Sequence, residues 1–362
     1  MELQDIKSMT LSEIEKAFTE EKLPKFRGLQ VYKWLHRGVE SFDEMSDLSK
    51  DLRQKLNYKY YISVATIEQK LISKQDDTVK YLFSFRDNCC VESVVMKYKH
   101  GYSICISTQV GCKMGCTFCA TGKGGFCRNL TASEMLAQIQ SAQKDLKIKL
   151  SNVVLMGMGE PLDNYEQVLR FLELVSSDLG LNIGMRHISV STCGIVDKIY
   201  DMADRKLQCT LSVSLHAPND VDRSKTMPIN NKWGVDELLR ACRYYSYTTR
   251  RRISFEYAMI SGVNDNDAQA LELAGKLKGI LSHVNLIPVN HVTGNSYYKS
   301  SAQRLEMFCS ILESKGITAT VRRTLGADIQ ASCGQLQRKY KEEVNNIEST
   351  QSNRCRSCTD CK

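Results

Sequence analysis

The chain has 362 residues, 42% of them hydrophobic, with 49 lysines and arginines against 41 acidic residues and 15 cysteines. This apolar content can bury a sizeable core, which excludes a largely disordered chain, and no apolar run is long enough to span a bilayer as a helix. The net charge of +8 lies entirely between residues 61 and 340, a modest basic field of the kind a phosphate backbone can use.

The opening Met1-Glu2-Leu3-Gln4-Asp5 has no basic stretch ahead of an apolar one, so no secretory leader is expected. An odd number of cysteines in a large chain with no route to an oxidising compartment points to metal or catalytic thiols rather than a disulfide framework. Residues 1–60 read as a small helical module. Thr10-Leu11-Ser12-Glu13 opens an amphipathic run to about Lys22, a second follows Gly28 through His36, and a third covers Ser49 to about Tyr58. Residues 61–102 change period. Val79–Phe85 and Val91–Met96 read as strands, with Lys74–Asp77 and Arg86–Asn88 as turns, which makes a β-rich connector.

From residue 103 a strand–helix rhythm sets in. Ser103–Val110, Asn152–Met156, His187–Ser191, Thr210–Leu215, Ile253–Ile260, His283–Pro288 and Ile317–Arg323 read as strands, with helical segments between them. One such helix, Thr131–Lys147, carries a Thr131/Glu134 capping box. The pattern predicts a parallel α/β barrel, complete or partial, over 103–340, with its chemistry at the C-terminal ends of the strands. Residues 341–362 read as a loose polar tail, apart from Cys355, Cys358 and Cys361, which suit either a metal or a redox-active tail.

Just past the first barrel strand stands Gly111-Cys112-Lys113-Met114-Gly115-Cys116-Thr117-Phe118-Cys119. Three soft thiols on one glycine-punctuated loop can converge on zinc or on iron–sulfur. Zinc wants a closed tetrahedron and no fourth ligand is local, whereas an iron–sulfur cube held by three cysteines keeps one iron open. At the next strand end, Gly157-Met158-Gly159-Glu160-Pro161 places glycines where a backbone could approach a ligand, beside a carboxylate that could accept bonds from an ammonium. Ser191, Ser214-Leu215-His216 and Asn290 end later strands and face the same mouth. Cys89, Cys90, Cys127, Cys193, Cys209, Cys242 and Cys309 read as buried, inert thiols. Arg250-Arg251-Arg252 and Arg322-Arg323 are candidates for phosphate contact, with a solvated face the equal alternative for the first.

With these motifs in order, together with Cys105–Cys112, Met227-Pro228-Ile229-Asn230 and Ala331-Ser332-Cys333-Gly334-Gln335-Leu336, the chain resembles the RlmN/Cfr family of radical S-adenosylmethionine (SAM) enzymes from its N-terminal module to about Tyr340. The resemblance implies a partial (βα)6 radical SAM barrel. It implies a [4Fe-4S] cluster on Cys112, Cys116 and Cys119, with SAM contacted by Gly159, Glu160, Ser191, Ser214, Leu215, His216 and Asn290. Cys333 would carry a methyl group, Cys105 would be its partner thiol, and Glu92 would accept a proton. The implied activity is methylation of adenosine at carbon 2 in 23S rRNA at the peptidyl-transferase centre and in tRNA beside the anticodon. It would consume two SAM per turnover through a 5′-deoxyadenosyl radical, with an electron donor such as flavodoxin or ferredoxin, in a cytoplasmic monomer with no membrane partner. The family's chemistry explains the thiols: the amidine carbon and the SAM methyl are both electrophiles, and a thiolate can pass carbon between them. Ala120-Thr121-Gly122 also occurs in Cfr-type sequences, which methylate carbon 8. Pro161 and Arg322-Arg323-Thr324 resemble the RlmN branch, which favours carbon 2. His291 after Asn290 departs from the usual proline.

Overall fold

The computed structural model describes residues 3–99, 101–289, 296–323, 325–329 and 336–337. Asn290, Cys333, the tail cysteines and the expected 341–362 tail lie outside the described residues. Short strands β1 (Gln4–Asp5) and β2 (Tyr60–Tyr61) pair in parallel and close off three helices, α1 (Leu11–Glu20), α2 (Lys25–Arg37) and α3 (Lys50–Lys59). Helices α1 and α3 start where their caps predict, whereas α2 begins at Lys25, ahead of the expected start after Gly28, with Gly28 inside it and no side-chain cap. The Thr10 side chain accepts from the Glu13 amide while Glu13 reaches back to Thr10, and Ser49 caps α3 in the same way from its side. Gly38 ends α2 in the left-handed conformation that favours glycine.

The rest is built on one ten-stranded sheet. Strands β3 (Thr66–Ile72), β4 (Val79–Ser84), β5 (Cys90–Tyr98) and β6 (Gly101–Cys105) are mutually antiparallel. A separate two-stranded hairpin, β7 (Gln109–Gly111) and β8 (Phe126–Asn129), follows β6. Then β9 (Leu150–Leu155), β10 (Ile188–Thr192), β11 (Thr210–Ser214), β12 (Ile253–Met259), β13 (Ser282–Pro288) and β14 (Ala319–Val321) continue the large sheet from β6, all in parallel. Helices α5 (Ala132–Leu146), α6 (Tyr165–Ser176), α7 (Val196–Asp204), α9 (Val235–Thr249), α10 (Asp267–Leu277) and α11 (Ala302–Ser314) connect successive parallel strands, while α4 (Ala120–Lys123) and α8 (Asp220–Thr226) are short turns in loops. Six βα units and a closing strand make the partial barrel, with β3–β5 extending the same sheet from its first strand.

Two expectations are corrected. The strand expected over Ser103–Val110 ends at Cys105, and Gln109–Gly111 leaves the large sheet to pair with β8. The apolar run continues because Ile106 and Val110 stay in the core, so hydrophobicity hides the break. Strand β3 was not foreseen, because as the edge strand it exposes most of both faces.

Alternation along the parallel strands sets the inner chemistry. Leu211 and Val213, Phe255 and Tyr257, Val284 and Leu286 pack against the helices in one continuous apolar core that also includes Ile14, Phe18 and Leu35 of the N-terminal module. The intervening positions face the lumen and are small or polar. Register aligns Ser191 with Ser212 and Ser212 with Ser254, and aligns Ser214 with Glu256 and Glu256 with Asn285. The lumen face of β10–β12 is thus lined by serines and Glu256 rather than by branched aliphatics. Among the described residues no helix is long and apolar enough to cross a membrane.

Candidate active site

The cluster loop is fixed at both ends by backbone geometry. Gly111 sits at φ +80°, and a Cβ there would overlap the Gly125 carbonyl, which accepts the Cys112 amide at 2.9 Å. Cys119 precedes α4 and its amide donates to Cys116 at 3.1 Å. The Thr117 amide donates to Thr226 at 3.0 Å, and the Phe118 ring meets His216 edge-on with centroids 4.8 Å apart, which aims the loop at the end of β11. Burial pushes the thiols of Cys112 and Cys116 up to about 11 and about 12; after burial, Cys119 is the largest charge acting on Cys116, and it acts on Cys112 too. The three sulfurs therefore share one electrostatic neighbourhood.

Against this loop lies the turn after β9. Gly159 has φ +104°, and an added Cβ would stand 2.6 Å from Gln109 Cβ, so only glycine fits. The turn is stitched to the segment after β6: Gly157 donates to Ile106 at 3.0 Å, Thr108 to Met158 at 2.9 Å and the Met158 amide to Ser107 Oγ at 2.9 Å. Glu160 is buried with both carboxylate oxygens engaged. Oε1 accepts the Leu162 amide at 3.0 Å and Oε2 the Cys193 amide at 2.7 Å. Burial raises its carboxyl above the usual range, and these amides oppose the rise. The side chains of Thr192 and Cys193 also act on this carboxylate.

The ends of β10 and β11 are gathered by a residue that the sequence reading missed. Arg223 on α8 is fully buried and donates to the carbonyls of Cys193 (2.6 Å), Ser214 (3.1 Å) and Leu215 (3.0 Å), and to Asn230 Oδ1 at 3.1 Å. It is also the cation felt by Cys116 and Cys193. The only signal available was the Met227–Asn230 motif, whose Asn230 orients this guanidinium. His216 is buried, and desolvation followed by Arg223 lowers its pKa to about 3. Its Nδ1 accepts the Ala258 amide at 2.9 Å, which assigns the proton to Nε2 and makes the ring a neutral wall. Leu215 packs in the core, and Ser191 and Ser214 are half-buried at the lumen. The lumen also holds Glu256, unforeseen, which accepts from Ser254 Oγ at 2.8 Å and Asn285 Nδ2 at 2.7 Å.

On the other wall, Cys105 is buried at the end of β6 beside Val94, Met96, Met156 and Leu325. Glu92 on β5 is fully buried. Its Oε2 is 3.0 Å from Lys80 Nζ, itself only 1% exposed, and its Oε1 accepts the Gln337 amide at 2.7 Å. Gln337 also donates through Nε2 to the Cys90 carbonyl at 2.6 Å. Glu92, Val94 and Met96 alternate onto one face, and Val94 pairs with Cys105, so Glu92 and Cys105 share the lumen side of adjacent strands.

Two further expectations need correction. Cys127 is exposed and Cys89 and Cys309 are half-buried, so only Cys90, Cys193, Cys209 and Cys242 fit the reading of buried thiols. Arg250–Arg252 precede β12 and so lie at the end of the barrel away from the site, with Arg251 donating to Thr210 Oγ1 at 3.1 Å. Arg322 and Arg323 follow β14, at the same end as the site, and both are exposed.

Comparison with known proteins agrees with this geometry. Residues 106–274 match the Radical SAM superfamily, and residues 4–62 match the ribosomal RNA large subunit methyltransferase N-terminal domain. A probable dual-specificity RNA methyltransferase RlmN from Alkaliphilus oremlandii (strain OhILAs) is 53% identical over 340 residues, covering 94% of this chain and 99% of the relative. The chain belongs to the RlmN family of radical SAM methyltransferases. Another relative of that name, from Clostridium tetani (strain Massachusetts / E88), is 51% identical over 332 residues, covering 92% of this chain and 95% of its own. The crystal structure of a radical SAM methyltransferase from Sphaerobacter thermophilus superposes with a TM-score of 0.87 at 41% identity, covering 92% of this chain and 98% of that one.

Membership in the RlmN family implies SAM and a four-iron cluster. Among the described residues, no three His, Cys, Asp or Glu side chains already stand close enough to hold a metal ion. The donor set nevertheless fits an iron–sulfur cluster: three thiols on one loop, mutually sensed, beside a buried guanidinium that can offset the charge a thiolate-bound cluster carries.

Proposed function

We propose that the chain methylates carbon 2 of adenosine, in 23S rRNA at the peptidyl-transferase centre and in tRNA beside the anticodon. Cys333 would be the methyl carrier, Cys105 the releasing thiol and Glu92 the proton acceptor. The observation that carries this reading is the latch between Gln337 and Glu92 on the wall that holds Cys105. Cys333 stands four positions before Gln337, and four residues span at most about 14 Å.

Cys112, Cys116 and Cys119 would hold a [4Fe-4S] cluster with one iron left open for SAM. When bound, this group supplies the electron that splits SAM to a 5′-deoxyadenosyl radical. Gly159 lets the backbone approach SAM, the Glu160 carboxylate faces the SAM ammonium, and Ser191, Ser214, Leu215 and His216 form the opposite rim, with Asn290 completing the set. The thiolate of Cys333 accepts a methyl from one SAM by attack on its electrophilic carbon. A second SAM is spent in activating that methyl, which gives two SAM per product. Once the methylene joins Cys333 to the ring, Glu92 takes the ring proton, with the Lys80 ammonium offsetting the carboxylate charge in the dry lumen. The adduct gives back the one electron that splitting SAM took up, Cys105 as thiolate attacks the Cys333 sulfur, the sulfur–carbon bond breaks, and the pair left on carbon takes up a proton, so the methylated base leaves as the disulfide forms. Arg322 and Arg323 would meet phosphates at the mouth, and the target base would leave its stack to enter. The reading also includes a flavodoxin- or ferredoxin-type donor and a cytoplasmic monomer.

The test is anaerobic incubation of reconstituted enzyme with protein-free large-subunit rRNA, SAM and a reductant, followed by nucleoside mass spectrometry. 2-Methyladenosine is expected, and Cys333→Ser should abolish it. Recovery of 8-methyladenosine alone would overturn the assignment of carbon 2. Cys105→Ala should trap protein covalently on RNA, visible as a shifted band that nuclease removes.

A further inference from the structure

Two thiols that the proposed reaction does not use meet at the protein surface. Cys89 follows the Arg86-Asp87-Asn88 turn between β4 and β5, and Cys127 lies on β8, the outer strand of the hairpin that carries the cluster loop. Their sulfurs are 3.8 Å apart. The approach is held by the neighbouring residues. Arg128, next to Cys127, grips Asp87 with Nε at 2.5 Å and Nη2 at 2.9 Å, and Asp87 Oδ1 also accepts the Cys89 amide at 3.1 Å. The other edge of Arg128 is held by Glu134 through two bonds of 2.8 Å. A planar guanidinium bound on both sides fixes the turn against β8, which holds the backbones of the two cysteines next to each other.

Cys127 is exposed and Cys89 half-buried, so small reagents reach the pair. Burial, then the hydrogen bonds with Asp87 and Cys127, raise the Cys89 thiol to about 12, which keeps it protonated, and Cys127, the more exposed of the two, is the first point of attack.

We propose that Cys89 and Cys127 form a redox-active dithiol that exchanges with small-molecule disulfides and closes a bridge between the β4–β5 turn and the cluster hairpin. Cys127, as thiolate, attacks one sulfur of an external disulfide such as glutathione disulfide and releases one glutathione. Cys89 then loses its proton and attacks the Cys127 sulfur, releasing the second glutathione. Two protein thiols are oxidised, one external disulfide is reduced to two thiols, and the two protons leave on them. The bridge tethers β8, whose neighbour Gly125 holds the Cys112 amide, without touching any residue of the reaction chamber.

The test uses the reconstituted holoenzyme, treated anaerobically with glutathione disulfide, alkylated, and digested with trypsin without reduction. The expected product joins the peptide Asp87–Lys97 to the peptide Gly124–Arg128 in most molecules. It should vanish in Cys89→Ser and in Cys127→Ser and persist in Cys90→Ser, while Cys127→Ser keeps wild-type methylation under reducing conditions. Glutathione carried on Cys127 with no bridge would overturn the proposal, and so would a bridge that survives Cys89→Ser.

Discussion

Arg223 shows how one side chain can assemble a site it never appears in by motif. Its guanidinium satisfies three carbonyls at two strand ends, and each buried carbonyl left without a donor costs about 1–3 kcal/mol. Arg223→Met is therefore expected to lower the urea midpoint sharply and to reduce iron bound per chain, measured on purified and reconstituted protein. Lys80 and Glu92 form a second buried pair whose members depend on each other. Removing either partner of such a pair typically costs about 3–5 kcal/mol, whereas exchanging both for neutral residues of similar size costs far less. In a double-mutant cycle, Lys80→Met/Glu92→Gln should thus be more stable to urea than the sum of the single variants requires, although it should not methylate. The buried arginine and lysine could not be recognised beforehand. A lone arginine in Val221-Asp222-Arg223-Ser224 or a lone lysine in Val79-Lys80-Tyr81 looks like a solvated side chain until the fold surrounds it.

At the scale of elements, the cluster loop depends on Gly111. A Cβ there meets the Gly125 carbonyl in a backbone conformation that side chains avoid, so Gly111→Ala should lose iron while keeping the far-ultraviolet circular dichroism of the intact barrel. The N-terminal module carries a pH signature of its own. His36 on α2 is buried against the Tyr32 ring, and desolvation followed by Lys7 lowers its pKa to about 4. The unfolded chain therefore binds a proton there that the folded chain refuses, and stability is lost as pH falls from about 6.5 towards 4. In His36→Phe, which keeps the ring contact, the urea midpoint should fall less between pH 7 and pH 4.5. Elements were the most readable level of the sequence. The capping boxes fixed helix starts because they are local, and the parallel strands announced themselves by alternation. The end of β6 and the strand β3 escaped because one depends on which partner the backbone chooses and the other on solvent at an edge.

Across the whole molecule, the barrel sets at opposite ends two arginine clusters that look alike in sequence. Arg322→Ala/Arg323→Ala should weaken RNA binding several-fold at low salt and flatten its salt dependence, since fewer phosphates are neutralised. Arg250→Ala/Arg252→Ala, at the opposite end, should leave both unchanged in the same filter-binding series.

The bond from Gln337 to Glu92 joins positions 245 residues apart. A ribosome adding about 5–20 residues each second needs roughly 12–50 s to cover that distance. Throughout that interval β5 has emerged while the residue that latches it is still untranslated, so the nascent chain holds an open chamber. Completion of the wall is thus postponed until residue 337 has been made, and a message cut short upstream of codon 337 yields a protein whose Glu92 lacks its backbone clasp.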